Sequence, residues 1–263
     1  MPDNGSDRKR HLLPLQIVKV VLLFWIGILA SMNASHAQNA RIVVFTSDLS
    51  APPYVMTDGV TFLSGIIKDL NDEAARRAGV TIDYRVLARG SVDAYLESGD
   101  GHVACNMQPA WTGIADKLVW TEPMFADEDV YWRLADTPPL ERVEDLIGRS
   151  FATYDGYTHA DAVMAQVADG RTKRVNLYAS QAIFDALTRK RADYVIFSRI
   201  RGEYMAKTPP YAGKIAPAGL VDSSYRNFCA ISRQTPIPPE DYKAALDSVL
   251  QDGTMAKILE KYR

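Results

Sequence analysis

Short β-branched runs alternate with amphipathic helical runs twice along this chain, and that alternation narrows the fold more than any other feature. Arg41 to Thr46 is short and β-branched and reads as a buried first strand. From Ser64 to Ala78 the period is helical: Ile66, Ile67, Leu70, Ala74 and Ala78 share one face, charged residues fill the other, and Gly79 supplies the stop. Thr81 to Leu87 reads as the second strand, Ser91 to Ser98 as a short helix and His102 to Met107 as the third strand. Strands separated by helical segments of this length imply βαβ units and a parallel sheet. Asp129 to Leu134 reads as a further strand, and Thr137-Pro138-Pro139 then breaks the chain. A second alternating set follows, with strands at Ser150 to Thr153, Lys173 to Leu177 and Asp193 to Phe197 and helices near Thr158 to Ala168 and Ser180 to Lys190. After Pro209-Pro210 the chain runs to a strand around Cys229 and finishes in helices at Pro239 to Gln251 and Thr254 to Lys261. Two α/β units joined by short crossings make a cleft, where a small ligand is expected.

The first 37 residues read as an export signal rather than as part of this fold. Arg8, Lys9 and Arg10 form a basic leader, Val20 to Ala30 is an apolar run of 11 residues, and Ser35-His36-Ala37 gives a small-x-small cleavage site. The run is too short for the ~20 residues that span a bilayer, and Lys19 blocks its extension backwards. The expected location is therefore the periplasm. Removing Arg8, Lys9, Arg10, Lys19, Asp3 and Asp7 with the leader leaves 26 basic and 30 acidic residues. That acidic balance argues against a nucleic-acid partner, which selects for a basic face.

Two cysteines, Cys105 and Cys229, remain in a compartment that permits disulfides. They stand far apart in strand-like runs, so the residues alone leave a bond and two buried free thiols both open. The two histidines after the leader, His102 and His159, sit in no metal-ligand or nucleophile pattern, and no phosphate loop or Gly-x-Ser-x-Gly occurs. No metal or cofactor is expected. Glu122 and Asp155 could flank a cleft as an acid/base pair, against the simpler reading of solvated turn residues.

Five segments in order resemble the family 3 extracellular solute-binding proteins: Pro52-Pro53-Tyr54, Gly65-Ile66-Ile67-Lys68-Asp69-Leu70, Trp120-Thr121-Glu122-Pro123, Arg191-Ala192-Asp193-Tyr194 and Asp252-Gly253-Thr254 with Lys257, Ile258, Lys261 and Tyr262. The resemblance implies the type II periplasmic-binding fold, two lobes each built on a mostly parallel sheet flanked by helices. It implies a discontinuous first lobe, residues 38–128 plus 222–263, and a second lobe at 129–221 with two hinge crossings. It also places the strands of Cys105 and Cys229 side by side, which implies a disulfide between them. The role it implies is a monomeric receptor that closes on a small solute for an inner-membrane permease of the ABC type. The alternatives are a receptor that serves a membrane sensor or a periplasmic oxidation system and, more remotely, a dehydratase-type enzyme.

The departures from that family bear on the ligand. Amino-acid receptors of the family grip the α-carboxylate with an arginine shortly before the Trp120 motif, where this chain has Ile114. They hold the α-ammonium with an aspartate after the second lobe's third strand, where this chain has Ser198. Charge-assisted hydrogen bonds contribute about 1.5–3 kcal/mol each, so an ordinary α-amino acid is not the expected ligand. The candidate ligand-binding residues are Tyr54, Gln108, Trp111, Thr112, Tyr154, Gly156, Tyr157, Thr158 and Ser198, with Arg199 as a relocated positive charge. Aromatic walls of this kind suit planar rings or the apolar faces of sugars. Trp120, Phe125 and Trp132 are read instead as core or hinge packing.

Overall fold

The computed structural model describes residues 40–47, 50–59 and 61–262, so the expected leader, residues 1–37, lies outside the described residues. In chain order the strands are β1 (Arg41–Ser47), β2 (Met56–Thr57), β3 (Phe62–Ser64), β4 (Thr81–Leu87), β5 (Val103–Met107), β6 (Leu118–Trp120), β7 (Phe125–Leu134), β8 (Ser150–Tyr154), β9 (Lys173–Leu177), β10 (Tyr194–Ser198) and β11 (Ile215–Ser232). The α-helices are α1 (Ile66–Ala78), α2 (Val92–Ser98), α3 (Asp161–Ala168), α4 (Ser180–Thr188), α5 (Arg199–Lys207), α6 (Pro239–Gln251) and α7 (Thr254–Lys261). β2 and β3 form a separate hairpin, and the remaining strands share one sheet in the order β4-β1-β5-β11-β7-β10-β8-β9, with β6 also paired to β11.

That sheet has two halves with a common spine. In the first half β1 runs parallel to β4 and β5; in the second β8 runs parallel to β9 and β10. Between them β7 and β11 pair antiparallel from Ile215↔Leu134 to Asn227↔Phe125. β11 then continues into the first half against β5 and β6, and β7 borders β10 in the second. The expected lobe limits, at residues 128 and 222, fall inside these two continuous strands.

Alternation along the central strands fills both faces of each half, as the period-two pleat requires. Cys229 and Ile231 of β11 face a core shared with Ile66, Leu70 and Tyr242, while Ala230 between them faces a smaller cluster of Phe45, Leu96, Ala104, Ile114 and Leu118. In the second half Val195 and Phe197 of β10 pack with Trp132, Phe184 and Tyr211, and Tyr194 and Ile196 pack on the opposite face with Tyr131, Phe151 and Leu146. Phe125 and Trp132 are core residues, as expected; Trp120 is half-buried, edge-on to Phe228.

Helix α1 buries Ile66, Ile67, Leu70 and Ala74 along one stripe. It ends where Gly79 takes the left-handed conformation, φ 67°, and donates its backbone N–H to the Ala75 carbonyl. Gly202, in α5, has a different role. A Cβ placed there would meet the Trp132 ring at 2.0 Å, so the helix lies against the indole only because this side chain is missing. Gly202→Ala is expected to destabilise the second half by at least about 1–3 kcal/mol, the cost of overpacking a filled core. A thermal melt checks this, and an unchanged Tm would contradict the packing described.

The element limits show where local signals suffice. Thr81–Leu87, Lys173–Leu177, Pro239–Gln251 and Thr254–Lys261 fall where the residue pattern places them. The helix expected from Thr158 starts later, at Asp161, because His159 and the Ala160 N–H are held by Asp222 on β11. The strand around Cys229 is far longer than expected and begins at Ile215. Pro217 and Gly219 make its first part read as a loop, yet register shifts on either side of Val221 keep that part paired with β7.

The expected disulfide is present: Cys105 and Cys229 stand directly opposite each other in the antiparallel β5–β11 pair and are bonded. No described helix is long and apolar enough to cross a membrane.

Candidate functional site

A cleft of about 890 Å³ opens between the halves of the sheet, within the size range of small-molecule sites. Its walls come from the segments that follow β1, β5, β8 and β10, the carboxyl ends of parallel strands where open α/β sheets place their ligands. A smaller chamber of about 410 Å³ adjoins it and shares Tyr154, Phe197 and Arg201.

Of the residues expected to contact a ligand, Tyr54, Gln108, Trp111, Tyr154, Gly156, Tyr157, Thr158 and Ser198 line the cleft. Thr112 and Arg199 lie outside its lining. The Thr112 hydroxyl donates to Asp93 at 2.8 Å, bracing the turn after β5. Arg199 is turned to Glu128, with Nε 2.9 Å from the carboxylate. Residues two apart on a helix are separated by roughly 200° around its axis. Thus the cation that reaches the cleft from α5 is Arg201 and not Arg199. Glu122 and Asp155 are exposed and stand outside the cleft lining.

Tyr54 and Ser198 line the cleft, but their hydroxyls are committed to the junction between the halves. Both donate to Asp127 of β7, Ser198 at 2.6 Å. Asp127 is only 3% exposed and also accepts the Ile200 and Glu128 backbone N–H groups and, at 3.4 Å, the Tyr225 hydroxyl. Burial, with the Asp127 carboxylate beside it, pushes the Tyr54 hydroxyl well above the ordinary tyrosine range, so it stays a donor. Ser198 also caps α5, accepting from the Arg201 backbone N–H at 3.2 Å. One carboxylate therefore ties β7, the turn after β1, the start of α5 and β11 together.

Two further residues, Asp129 and Tyr225, face the cleft beside this network without having stood out in the sequence. Tyr225 donates to Asp129 at 3.2 Å and stands edge-on to Trp111, with ring centroids 5.8 Å apart. Burial, followed by the nearby Asp127 charge, raises the Asp129 carboxyl to about 6; the more distant Asp222 adds to this, and His159 and the Tyr225 hydrogen bond oppose it. The folded pKa lies above the unfolded value of ~3.9, so the native state holds the proton more tightly and this group loses stability for the fold as pH rises from about 4 through about 6. Asp129→Asn is expected to remove that loss. The variant should gain on the order of 2 kcal/mol over the parent at pH 7 relative to pH 4, read from denaturation midpoints at the two pH values. Parallel pH profiles for the two proteins would contradict this.

Both described histidines have structural partners. His159 bridges Thr153, at 2.8 Å, and Asp222, at 3.0 Å, and His102 Nδ1 accepts the Val43 backbone N–H at 2.8 Å. Among the described residues no group of three metal-ligating side chains forms. Ile114, expected from the sequence to replace a receptor arginine, is 8% exposed and packs with Phe45, Leu96 and Leu118.

The architecture is the two-lobed type II periplasmic-binding fold. Solved structures that share it include an ancestral arginine-binding protein bound to glutamine, 22% identical over 85% of this chain and 97% of that chain with a TM-score of 0.65. The periplasmic VFT2 domain of BvgS from Bordetella pertussis is 16% identical over 89% and 97% of the two chains, with a TM-score of 0.64. The GluR0 ligand-binding core from Nostoc punctiforme, in complex with L-glutamate, is 16% identical over 85% and 98%, with a TM-score of 0.62. At these identities the likeness defines the fold. No family model and no curated protein sequence matches the chain.

Proposed function

We propose that the protein is a periplasmic receptor of the family 3 solute-binding type, which binds a small organic solute reversibly in this cleft and delivers it to an ABC-type permease. The observation that carries the reading is the aromatic-walled cleft at the carboxyl ends of strands from both halves, spanned by the β7–β11 ribbon. A solute that touches both walls only when they approach each other shifts an open–closed equilibrium by its differential affinity. Tyr54, Gln108, Trp111, Tyr154, Gly156, Tyr157, Thr158 and Ser198 form the contact surface. The lobes are residues 38–128 with 222–263, and 129–221, and the receptor works as a monomer.

The ligand in this reading is not an ordinary α-amino acid. The arginine position holds a buried isoleucine, and the aspartate position holds a serine whose hydroxyl already serves Asp127. Among the described residues the cleft presents no nucleophile–base pair, which favours binding without turnover. A thermal-shift screen of amino acids, sugars, polyols, and aliphatic and aromatic acids tests the reading. At least one compound outside the α-amino acids should raise Tm strongly and be recovered unchanged. Strongest stabilisation by an α-amino acid, or consumption of the best compound, would contradict it.

A further inference from the structure

Among the described residues, Arg201 lines the cleft with no carboxylate in ion-pair contact. Arg201 projects from the first turn of α5, and its guanidinium lies over the Phe197 ring at 4.5 Å and the Tyr154 ring at 5.6 Å. One terminal nitrogen, Nη2, donates to the Tyr154 hydroxyl at 2.9 Å and to the Ser180 hydroxyl. Nε is buried with no hydrogen-bond partner, and among the described residues no carboxylate lies within ion-pair distance of the group. By contrast Arg77 and Arg199 face Asp252 and Glu128 at 2.7 and 2.8 Å, and Lys243 pairs with Asp247. A guanidinium fixed by two hydroxyls and two aromatic faces is preorganised, and its planar fork matches a carboxylate.

The surroundings define the rest of the ligand. Arg89 lines the same cleft as Arg201 and Tyr157. Trp111 and Tyr157 are 53% and 37% exposed in the cleft, large apolar faces left for something to cover. Among the described carboxylates that line the cleft or stand beside it, five donors engage Asp127, and Asp93 is engaged by Thr112 and the Gly113 N–H. Asp129 accepts from Tyr225, and burial raises its carboxyl to about 6, so it holds a negative charge less readily than an ordinary aspartate.

We infer that Arg201 anchors the ligand, and that the ligand is a small carboxylic acid with a flat apolar body and no α-ammonium group. This deepens the receptor reading and rests on it. The carboxylate anchor has moved from the first half of the sheet, where Ile114 now seals an apolar cluster, to α5 in the second half. Trp111 and Tyr157 cover the body of the acid, and closure of the cleft brings them onto it.

Calorimetric titration of the protein with phenylacetate and 4-hydroxybenzoate, against 2-phenylethanol and 4-hydroxybenzyl alcohol as matched neutral compounds and phenylalanine as the zwitterion, tests the assignment. The acids should bind about tenfold to a hundredfold more tightly than their alcohols, the difference expected for charge-assisted hydrogen bonds, and phenylalanine no more tightly than phenylacetate. Arg201→Gln should narrow the gap between each acid and its alcohol to less than about threefold, and Arg201→Lys should restore part of the gap. The gap is read within one protein, so a general change in the variant's cleft, which acts on acid and alcohol alike, does not enter it. Equal binding of acids and alcohols, tighter binding of phenylalanine, or full acid affinity in Arg201→Gln would overturn it. If none of these acids binds while a sugar or polyol from the wider screen does, the Arg201 assignment falls and the receptor reading stands. If nothing in either set binds, both fall.

Discussion

Replacing both Cys105 and Cys229 with alanine is expected to lower stability by about 4–5 kcal/mol. The bond joins residues 124 positions apart, and the loop it closes holds the whole second half of the sheet. In the unfolded chain such a link removes the freedom of a very long loop, and chain-entropy reasoning assigns that loss the stated size. The native state has little to gain from further change, since both cysteines are buried and alanine leaves no unpaired polar atom. Guanidinium unfolding of the parent and the double variant measures the effect. The midpoint should fall, and the slope should rise because the unlinked chain exposes more surface. An unchanged midpoint would show that the first half of the sheet does not depend on the link.

Asp127→Ala is expected to cost about 3 kcal/mol or more, for a different reason. The carboxylate is buried and accepts from Tyr54, Ser198, Tyr225 and two backbone N–H groups. Removing it leaves several buried donors without an acceptor, each at a cost of about 1–3 kcal/mol. Asp127→Asn keeps one acceptor oxygen and should cost less than Asp127→Ala. The substitution should also loosen the cleft, because Tyr54 comes from the turn after β1 and Ser198 from the end of β10, so the two halves lose their shared tether. Urea midpoints measure the stability change. A loss below about 1 kcal/mol would mean that water replaces the carboxylate and that the network is not a structural tie.

Much of this architecture was legible in local patterns, because period and caps are properties of neighbouring residues. The stripe of Ile66, Ile67, Leu70 and Ala74 with Gly79 behind it specifies a helix and its end without reference to the rest of the molecule. The early part of β11 was not legible, since Pro217 and Gly219 oppose a strand locally and only pairing with β7 overrides them. The β2–β3 hairpin is similarly short and carries no period of its own.

At the site, strand-end positions such as Tyr54, Gln108, Tyr154 and Ser198 were accessible to the same reasoning, because parallel strands deliver their carboxyl ends to one edge. Arg201 was not, because choosing between Arg199 and Arg201 requires the rotational phase of α5, in which Gly202 lies against Trp132 while Ile200 joins the core of the first half. Asp129 and Tyr225 lie on strands whose pairing is long-range, and nothing in their immediate neighbours marks them as facing the cleft.

Small-angle X-ray scattering of the protein, free and saturated with the compound that most raises its Tm, tests the central claim most directly. A solute held between the two halves should contract the radius of gyration, and Trp111→Ala should weaken both the contraction and the thermal shift. A radius of gyration unchanged at saturation, with Trp111→Ala binding as tightly as the parent, would show that the solute sits elsewhere and that the cleft is not the receptor site.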